Sequence, residues 1–201
     1  MEVFFMDIAS SETKLNLMRA FAGESQARNR YTFAAGKASE QNLYVIEAVF
    51  KYTAAQEKAH AEVFMGFLKS MDGQTVEFSG GYPVETTDSI LRLLKNAEHN
   101  ETEEHDVVYS SFAETAENEG FDAIASTFRR IAEIEKSHSE RFKHFAVLLE
   151  NNRLFASDVE EKWICLNCGY ESESRNAPKI CPVCSHEQGY FIRLAYSPYA
   201  K

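Results

Sequence analysis

Four stretches of this chain carry helical apolar stripes that are broken at mid-length by carboxylates and imidazoles. Glu24 interrupts Leu17, Phe21, Arg28, Tyr31, Ala35, and Glu57 with His60 interrupts Ile46, Phe50, Thr53, Phe64, Phe67. Glu101 and Glu104 stand between Ile90, Leu94, Ala97 and Val108, Phe112. Glu135 with His138 stands between Phe121, Ile124, Phe128, Ile131 and Phe142, Phe145, Leu149. Each stripe advances by three or four residues, the spacing of one helix face. An unpaired carboxylate in an apolar core is strongly unfavourable, so a core that gathers several of them needs positive charge inside it. A pair of metal ions would supply it. Glu98, one turn before Glu101, competes for the same place.

The stripes set the architecture. Residues 11–71 hold two helical patterns that break near Glu40-Gln41-Asn42, with Ser11 as N-cap of the first and the second running from about Asn42 to Met71. Residues 72–86, with Gly73, Gly80, Gly81 and Pro83, are long enough to cross the length of a bundle. Thr87 or Asp88 caps a third helix ending near Gly120, and a fourth ends near Asn151-Asn152. Two antiparallel pairs joined by a long crossover between helices 2 and 3 describe an all-α four-helix bundle of ferritin-like type. From about Ser157 the helical period stops, and aromatic and short polar residues surround paired cysteines. The expected domains are therefore a bundle over residues 1–156 and a small metal-binding domain with short β-strands over residues 157–201.

Glu57-Lys-Ala-His60 and Glu135-Lys-Ser-His138 place a carboxylate and an imidazole on one helix face, about one turn apart, so both can reach one ion. Ferritin-like dinuclear sites use one such pair from each of two helices and a single glutamate from each of the others, here Glu24 and a third-helix glutamate. Carboxylate oxygens with one imidazole per metal suit iron or manganese. Cys165-x2-Cys168 and Cys181-x2-Cys184 form the second constellation, a tetrahedral thiolate set for zinc or a single iron. Spacing alone favours a structural zinc ribbon. A redox-active bundle in the same chain favours iron, because zinc carries no electrons.

A formal charge of -10 argues against nucleic acid or an anionic membrane surface as partner. No apolar run approaches the ~20 residues of a membrane span. The start, Val3-Phe4-Phe5-Met6, is too short and acidic for a signal peptide, so a cytoplasmic location is expected and the Asn100-Glu101-Thr102 sequon is empty. No Gly-x-Gly-x-x-Gly turn opens a helix, so the chain shows no dinucleotide site of its own.

Along nearly its whole length the chain resembles the rubrerythrins. Ala20-Phe-Ala-Gly-Glu-Ser-Gln-Ala-Arg-Asn-Arg-Tyr31 is similar to that family's first-helix signature. Tyr109-Ser-Ser-Phe-Ala, Glu119-Gly-Phe121 and Glu135-Lys-Ser-His138-Ser-Glu-Arg-Phe142 resemble its later helices. Trp163-Ile-Cys-Leu-Asn-Cys-Gly-Tyr170 and Cys181-Pro-Val-Cys184 resemble its rubredoxin-like tail. The family's metal glutamates stand eight and five residues before the third-helix tyrosine, which points to Glu101 and Glu104 and makes Glu98 a bystander. The segment Leu94 to Glu101 is more polar than the family's usual stretch.

The resemblance implies a non-haem di-iron peroxidase that reduces hydrogen peroxide to water in oxidative-stress defence. It implies two irons in the bundle and one on the four cysteines, which relays electrons from an external NADH-linked reductase or a rubredoxin-type donor. Glu57 and Glu135 would bridge the irons, with Glu24 and Glu101 as terminal carboxylates and His138 as a fixed nitrogen ligand. His60 and Glu104 would alternate on one iron. The alternatives are a ferritin-type iron oxidase and a binding module with structural zinc.

Tyr31 and Tyr109 either hydrogen-bond ligand carboxylates or fill core, and Arg28 and Arg141 either neutralise outer carboxylates or pair at the surface. His99, His105, His144 and His186 are expected to be solvated. With His138 about 12 residues from the end of its helix, roughly 18 Å at the helical rise, and a linker over Asn151–Glu161, transfer within one chain looks long. A homodimer or larger assembly that sets one chain's cysteines against the other's bundle is expected. The ten residues before Ser11 and the tail Tyr196–Lys201 carry no assigned role.

Overall fold

The computed structural model describes residues 7–197, so the Val3–Met6 start and the tail from Pro198 to Lys201 lie outside the described residues. Helix α1 runs Glu12–Glu40. Ser11 caps it by accepting from the Lys14 N–H at 3.0 Å. A second cap arrives from far along the chain. Glu119 accepts from the N–H groups of Glu12 (2.9 Å) and Thr13 (2.8 Å) and from the Thr13 hydroxyl (2.6 Å). Its charge also meets the positive end of the helix dipole. The residues before Ser11 wind into a short 3-10 turn, Ile8–Ser10, and Ile8 packs against the lower core.

Asn42, at φ 58°, takes the left-handed conformation that ends α1, and α2 returns over Tyr44–Gly66. The second helix is shorter than its pattern suggests: beyond Gly66 the chain tightens into a 3-10 turn at Lys69–Met71. The crossover then leads to Ser89, which caps the third helix by accepting from the Arg92 N–H at 3.3 Å. Thr87 and Asp88, expected as caps, instead hold the crossover to α1, both accepting from Lys37 Nζ.

The third rod is α3 (Ile90–Glu103) continued by α4 (Tyr109–Asn118). A π-helical turn at Glu104–Val108 joins them. The 3–4 spacing carries the stripe on through Val108 and Phe112, but the extra residue of the π turn rotates the buried face onto Tyr109, Ala113 and Ala116 and leaves Val108 and Phe112 part-buried. Gly120, at φ 84°, reverses the chain into α5, Asp122–Glu150.

Two apolar clusters fill the bundle. One gathers Tyr31, Phe50, Leu94 and Phe142, the other Leu17, Phe64, Tyr109 and Phe128. The polar stretch between them holds the glutamates and histidines.

Beyond α5 comes a three-stranded antiparallel sheet of order β2-β1-β3, with β1 at Ala156–Cys165, β2 at Glu171–Asn176 and β3 at Phe191–Arg193. Fully buried Trp163 and Phe191 form its core, and the indole N–H donates to the Ser174 carbonyl at 2.9 Å. This sheet caps the end of the bundle. Tyr190 stacks on Tyr44 at 4.0 Å between ring centroids, and Ile192 joins the bundle core. At Gly189 a side-chain carbon would stand 1.9 Å from the Asn42 carbonyl oxygen, so only glycine fits there. The connection from bundle to sheet is shorter than expected, since β1 already begins at Ala156. Tyr196 also gains a place, edge-on to His144 at 4.3 Å and against the Arg193 guanidinium.

Candidate metal centres

The helices bring the interrupted stripes together at one level. Glu24, Glu57, His60 and Glu135 form one buried group, and Glu57, Glu101, Glu135 and His138 form another. His60 Nδ1 lies 2.8 Å from Glu135, 3.3 Å from Glu57 and 3.6 Å from Glu24. His138 Nδ1 lies 2.7 Å from Glu135, 3.1 Å from Glu57 and 3.8 Å from Glu101. Glu57 and Glu135 therefore face both imidazoles, each with a different oxygen. Glu24 and Glu101 close the two ends.

These short contacts lack hydrogen-bond directionality. Glu24 Oε2, Glu101 Oε2, both oxygens of Glu57 and Glu135 and both Nδ1 atoms are buried with no hydrogen-bond partner. Native cores seldom leave so many polar atoms unsatisfied. Atoms converging on two shared points, with carboxylate and imidazole donors, fit two hard or borderline cations.

The electrostatics agree. Burial, then the charge of Glu135, raises the Glu24 carboxyl well above its ordinary range. Burial and the Glu57 charge push Glu101 to about 8. Burial also raises Glu57, but the polar contacts of His138 and His60 outweigh it and bring that carboxyl to about 2. Burial disfavours the charged imidazoles, yet Glu101, Glu135 and Glu57 hold His138 up to about 12. His60 is raised in the same way by Glu135, Glu24 and Glu57. Without metal, the two imidazoliums are the positive charge of this core.

Glu104 joins neither group. It lies part-buried on the π turn and lines a cavity of about 310 Å³ together with Tyr109 and Tyr82. Burial and the charge of Glu101 raise its carboxyl well above the ordinary range. Glu98 faces outward to Lys143 at 3.6 Å, whereas Glu101 is 1% exposed and inside the cluster.

Tyr31 and Tyr109, which the sequence leaves between carboxylate partner and core filler, are both at once. Tyr31 donates to Glu101 and Tyr109 to Glu24. The outer nitrogen of His138, Nε2, donates to Gln56 Oε1 at 3.1 Å, which turns Nδ1 toward the carboxylates. Arg141 donates to the same oxygen at 3.2 Å and to the Thr53 hydroxyl at 3.0 Å. Arg28, although on the stripe, is exposed. Of the remaining histidines only His99 is exposed: His105 contacts Asp106, His144 packs against Phe145 and Tyr196, and His186 lies edge-on to Tyr190. The expectation of four solvated histidines fails because aromatic neighbours and nearby polar groups cover three of them.

The four cysteines converge at the sheet. Cys165 and Cys184 sulfurs are 3.8 Å apart and those of Cys168 and Cys181 are 3.6 Å apart. A tetrahedron with arms of ~2.3 Å has edges of ~3.8 Å, so the spacing suits one thiolate-bound ion. The backbone N–H of His186 lowers the Cys184 thiol to about 6, presenting a ready thiolate.

Residues 16–146 match the family model described as Rubrerythrin, and residues 163–192 match the model for the rubrerythrin rubredoxin-like domain. The chain belongs to the rubrerythrin family. It is 43% identical to Rubrerythrin-1 of Clostridium acetobutylicum over 94% of this chain and 97% of that protein. It is 44% identical to rubrerythrin of Porphyromonas gingivalis, covering 92% and 90% of the two chains. A structure of nigerythrin in a partially reduced state superposes with a TM-score of 0.62 at 26% identity, over 96% of this chain and 94% of that one. As a rubrerythrin-family protein the chain pairs a di-iron carboxylate site in a ferritin-like bundle with a rubredoxin-like four-cysteine site. No helix among the described residues is long and apolar enough to cross a membrane.

Proposed function

We propose that this chain is a non-haem di-iron peroxidase that reduces hydrogen peroxide to water, acting in the cytoplasm in oxidative-stress defence. The observation that carries the reading is the co-occurrence of a buried four-carboxylate, two-histidine core and a four-thiolate site capping the same bundle. Iron storage alone has no use for the second site. Glu57 and Glu135 are assigned as bridges, Glu24 and Glu101 as terminal carboxylates, His138 as a fixed ligand, and His60 and Glu104 as alternating ligands. Cys165, Cys168, Cys181 and Cys184 hold the single iron. The chain divides functionally into residues 1–156 and 157–201, a division supported by the start of β1 at Ala156.

When bound, the bundle irons supply the two electrons that cleave the O–O bond. The chain's own residues prepare that step. Tyr31 and Tyr109 hold the terminal carboxylates in place. Gln56 holds the His138 ring. The flanking Phe50, Phe64, Phe128 and Phe142 exclude water from the core. The four cysteines would hold a single iron able to pass on electrons from an NADH-linked reductase or a rubredoxin-type carrier. Between the Cys165 loop and the bundle, Leu166, Tyr52 and Arg141 line a cavity of about 270 Å³. That gap is a poor bridge for transfer within one chain, and a homodimer that brings the partner's four-cysteine site to the Gln56 surface gives a shorter route.

Anaerobic metal analysis with a visible spectrum tests the reading. The expected protein carries about three irons per chain. Its ferric–thiolate colour bleaches on reduction and returns with peroxide. Stoichiometric zinc on the cysteines of protein made with ample iron would overturn it.

A further inference from the structure

We propose that Tyr82, on the crossover between α2 and α3, is a specificity-determining residue that narrows the entrance to the bundle site and admits hydrogen peroxide in preference to bulky organic hydroperoxides. The inference rests on the peroxidase reading and adds a selectivity filter to it.

Glu104, one of the assigned ligands, lines the cavity of about 310 Å³ described above, together with Val108 and Tyr109 of the π turn and α4. The crossover segment Gly80-Gly81-Tyr82-Pro83 lines the same cavity. The Tyr82 ring lies over Gly23, the residue before Glu24: a side-chain carbon at Gly23 would stand 3.8 Å from the ring. A side-chain carbon at Gly80 would stand 2.9 Å from the phenol oxygen, so glycine on this side also leaves the ring its room. The phenol donates to the Arg19 carbonyl at 3.0 Å, and Arg19 Nε donates back to the Ser79 carbonyl at 3.0 Å. On the far side Glu85 is held by Arg30 at 3.0 Å and by Asn100 at 2.8 Å. The crossover is thus fastened on both sides of Tyr82, a residue that is 38% exposed and lines the same cavity as Glu104.

Reduction of a hydroperoxide ROOH takes up two electrons and two protons, breaks the O–O bond and releases ROH and water. For hydrogen peroxide R is a hydrogen atom, and nothing bulky must pass the ring. For cumene hydroperoxide the aryl group must pass through the space that Tyr82 fills.

The test uses the full chain loaded with iron and fed by a reductase, comparing kcat/KM for hydrogen peroxide and cumene hydroperoxide in wild type, Tyr82→Ala and Tyr82→Phe. Tyr82→Ala should shift the ratio toward cumene hydroperoxide by about tenfold or more, the scale on which pocket shape discriminates. Tyr82→Phe keeps the ring and should keep the wild-type ratio. A second readout is free of turnover: a bulky sulfonated chelator should strip ferrous iron from the bundle of Tyr82→Ala several-fold faster than from wild type. An active wild type whose ratio and stripping rate are the same in Tyr82→Ala overturns the filter alone. A wild type that turns over neither peroxide overturns the peroxidase reading and the filter with it.

Discussion

Tyr31 on α1 donates its phenolic proton to Glu101 on α3, across 70 residues of chain. Tyr109 makes the matching bond to Glu24 at the other end of the site. Burial and then the facing carboxylates, Glu101 for Tyr31 and Glu24 for Tyr109, raise both phenols well above their ordinary range, so each stays a donor. Tyr31→Phe or Tyr109→Phe removes one bond to a buried carboxylate and leaves the aromatic packing with Phe142 or Phe128. Metal affinity should fall by about 10–100-fold, the usual loss when an outer partner of a ligand is removed. Competition against a chelator measures it, with circular dichroism showing an intact bundle.

Metal uptake should release protons. His138, at about 12, and His60, raised further, are both charged in the metal-free fold at neutral pH. Nδ1 must lose its proton to bind an ion, so affinity should rise with pH between about 6 and about 8. The folded values lie above the unfolded ~6.5. The imidazolium contribution to the metal-free fold is therefore complete below that pH and is lost only as pH climbs through the folded values. Calorimetry of Fe(II) binding in buffers of different ionisation enthalpy counts the protons. A count of zero would contradict the charge arrangement described here.

Much of this site is legible in the sequence because burying a carboxylate leaves a mark on periodicity. Glu24, Glu57, Glu101 and Glu135 stand out since a helix face that needs Leu or Phe has Glu instead, and the structure buries all four. What periodicity cannot register is a partner on another element. Gln56 sits on a part-exposed position and gains meaning only from His138. The cap from Glu119 onto Thr13 spans 106 residues. The crossover shows only glycines and a proline in sequence, and the role of Tyr82 appears once Arg19 and Gly23 lie beneath it.

Glu57 contacts both imidazoles, and so does Glu135. Glu57→Ala or Glu135→Ala should therefore empty both metal positions in the bundle. The variants also lose the linkage stabilisation of bound metal, about 2.7 kcal/mol where free metal exceeds Kd a hundredfold. Iron content and Tm in the presence of Fe(II) check this. Glu98→Ala touches only the surface contact with Lys143 and should bind iron as wild type does, whereas Glu101→Ala should not. Equal iron content in these last two variants would place the third-helix ligand elsewhere.

Cys165→Ser should separate the two halves of the mechanism. Cys165 is buried in the sheet and contributes nothing to the carboxylate cluster, so the variant should keep two bundle irons. Its chemically reduced bundle should still be oxidised by peroxide, while steady-state turnover from a reductase collapses. Mixing Cys165→Ser chains with Glu57→Ala chains then asks where the relay runs. Each chain lacks what the other retains, so a mixed dimer has one intact cysteine site facing one intact bundle across the interface. Because the within-chain route meets the cavity between Leu166 and Arg141, the mixture should recover part of the wild-type activity. Mixed dimers that demonstrably form and stay inactive would exclude the cross-subunit relay and confine transfer to one chain.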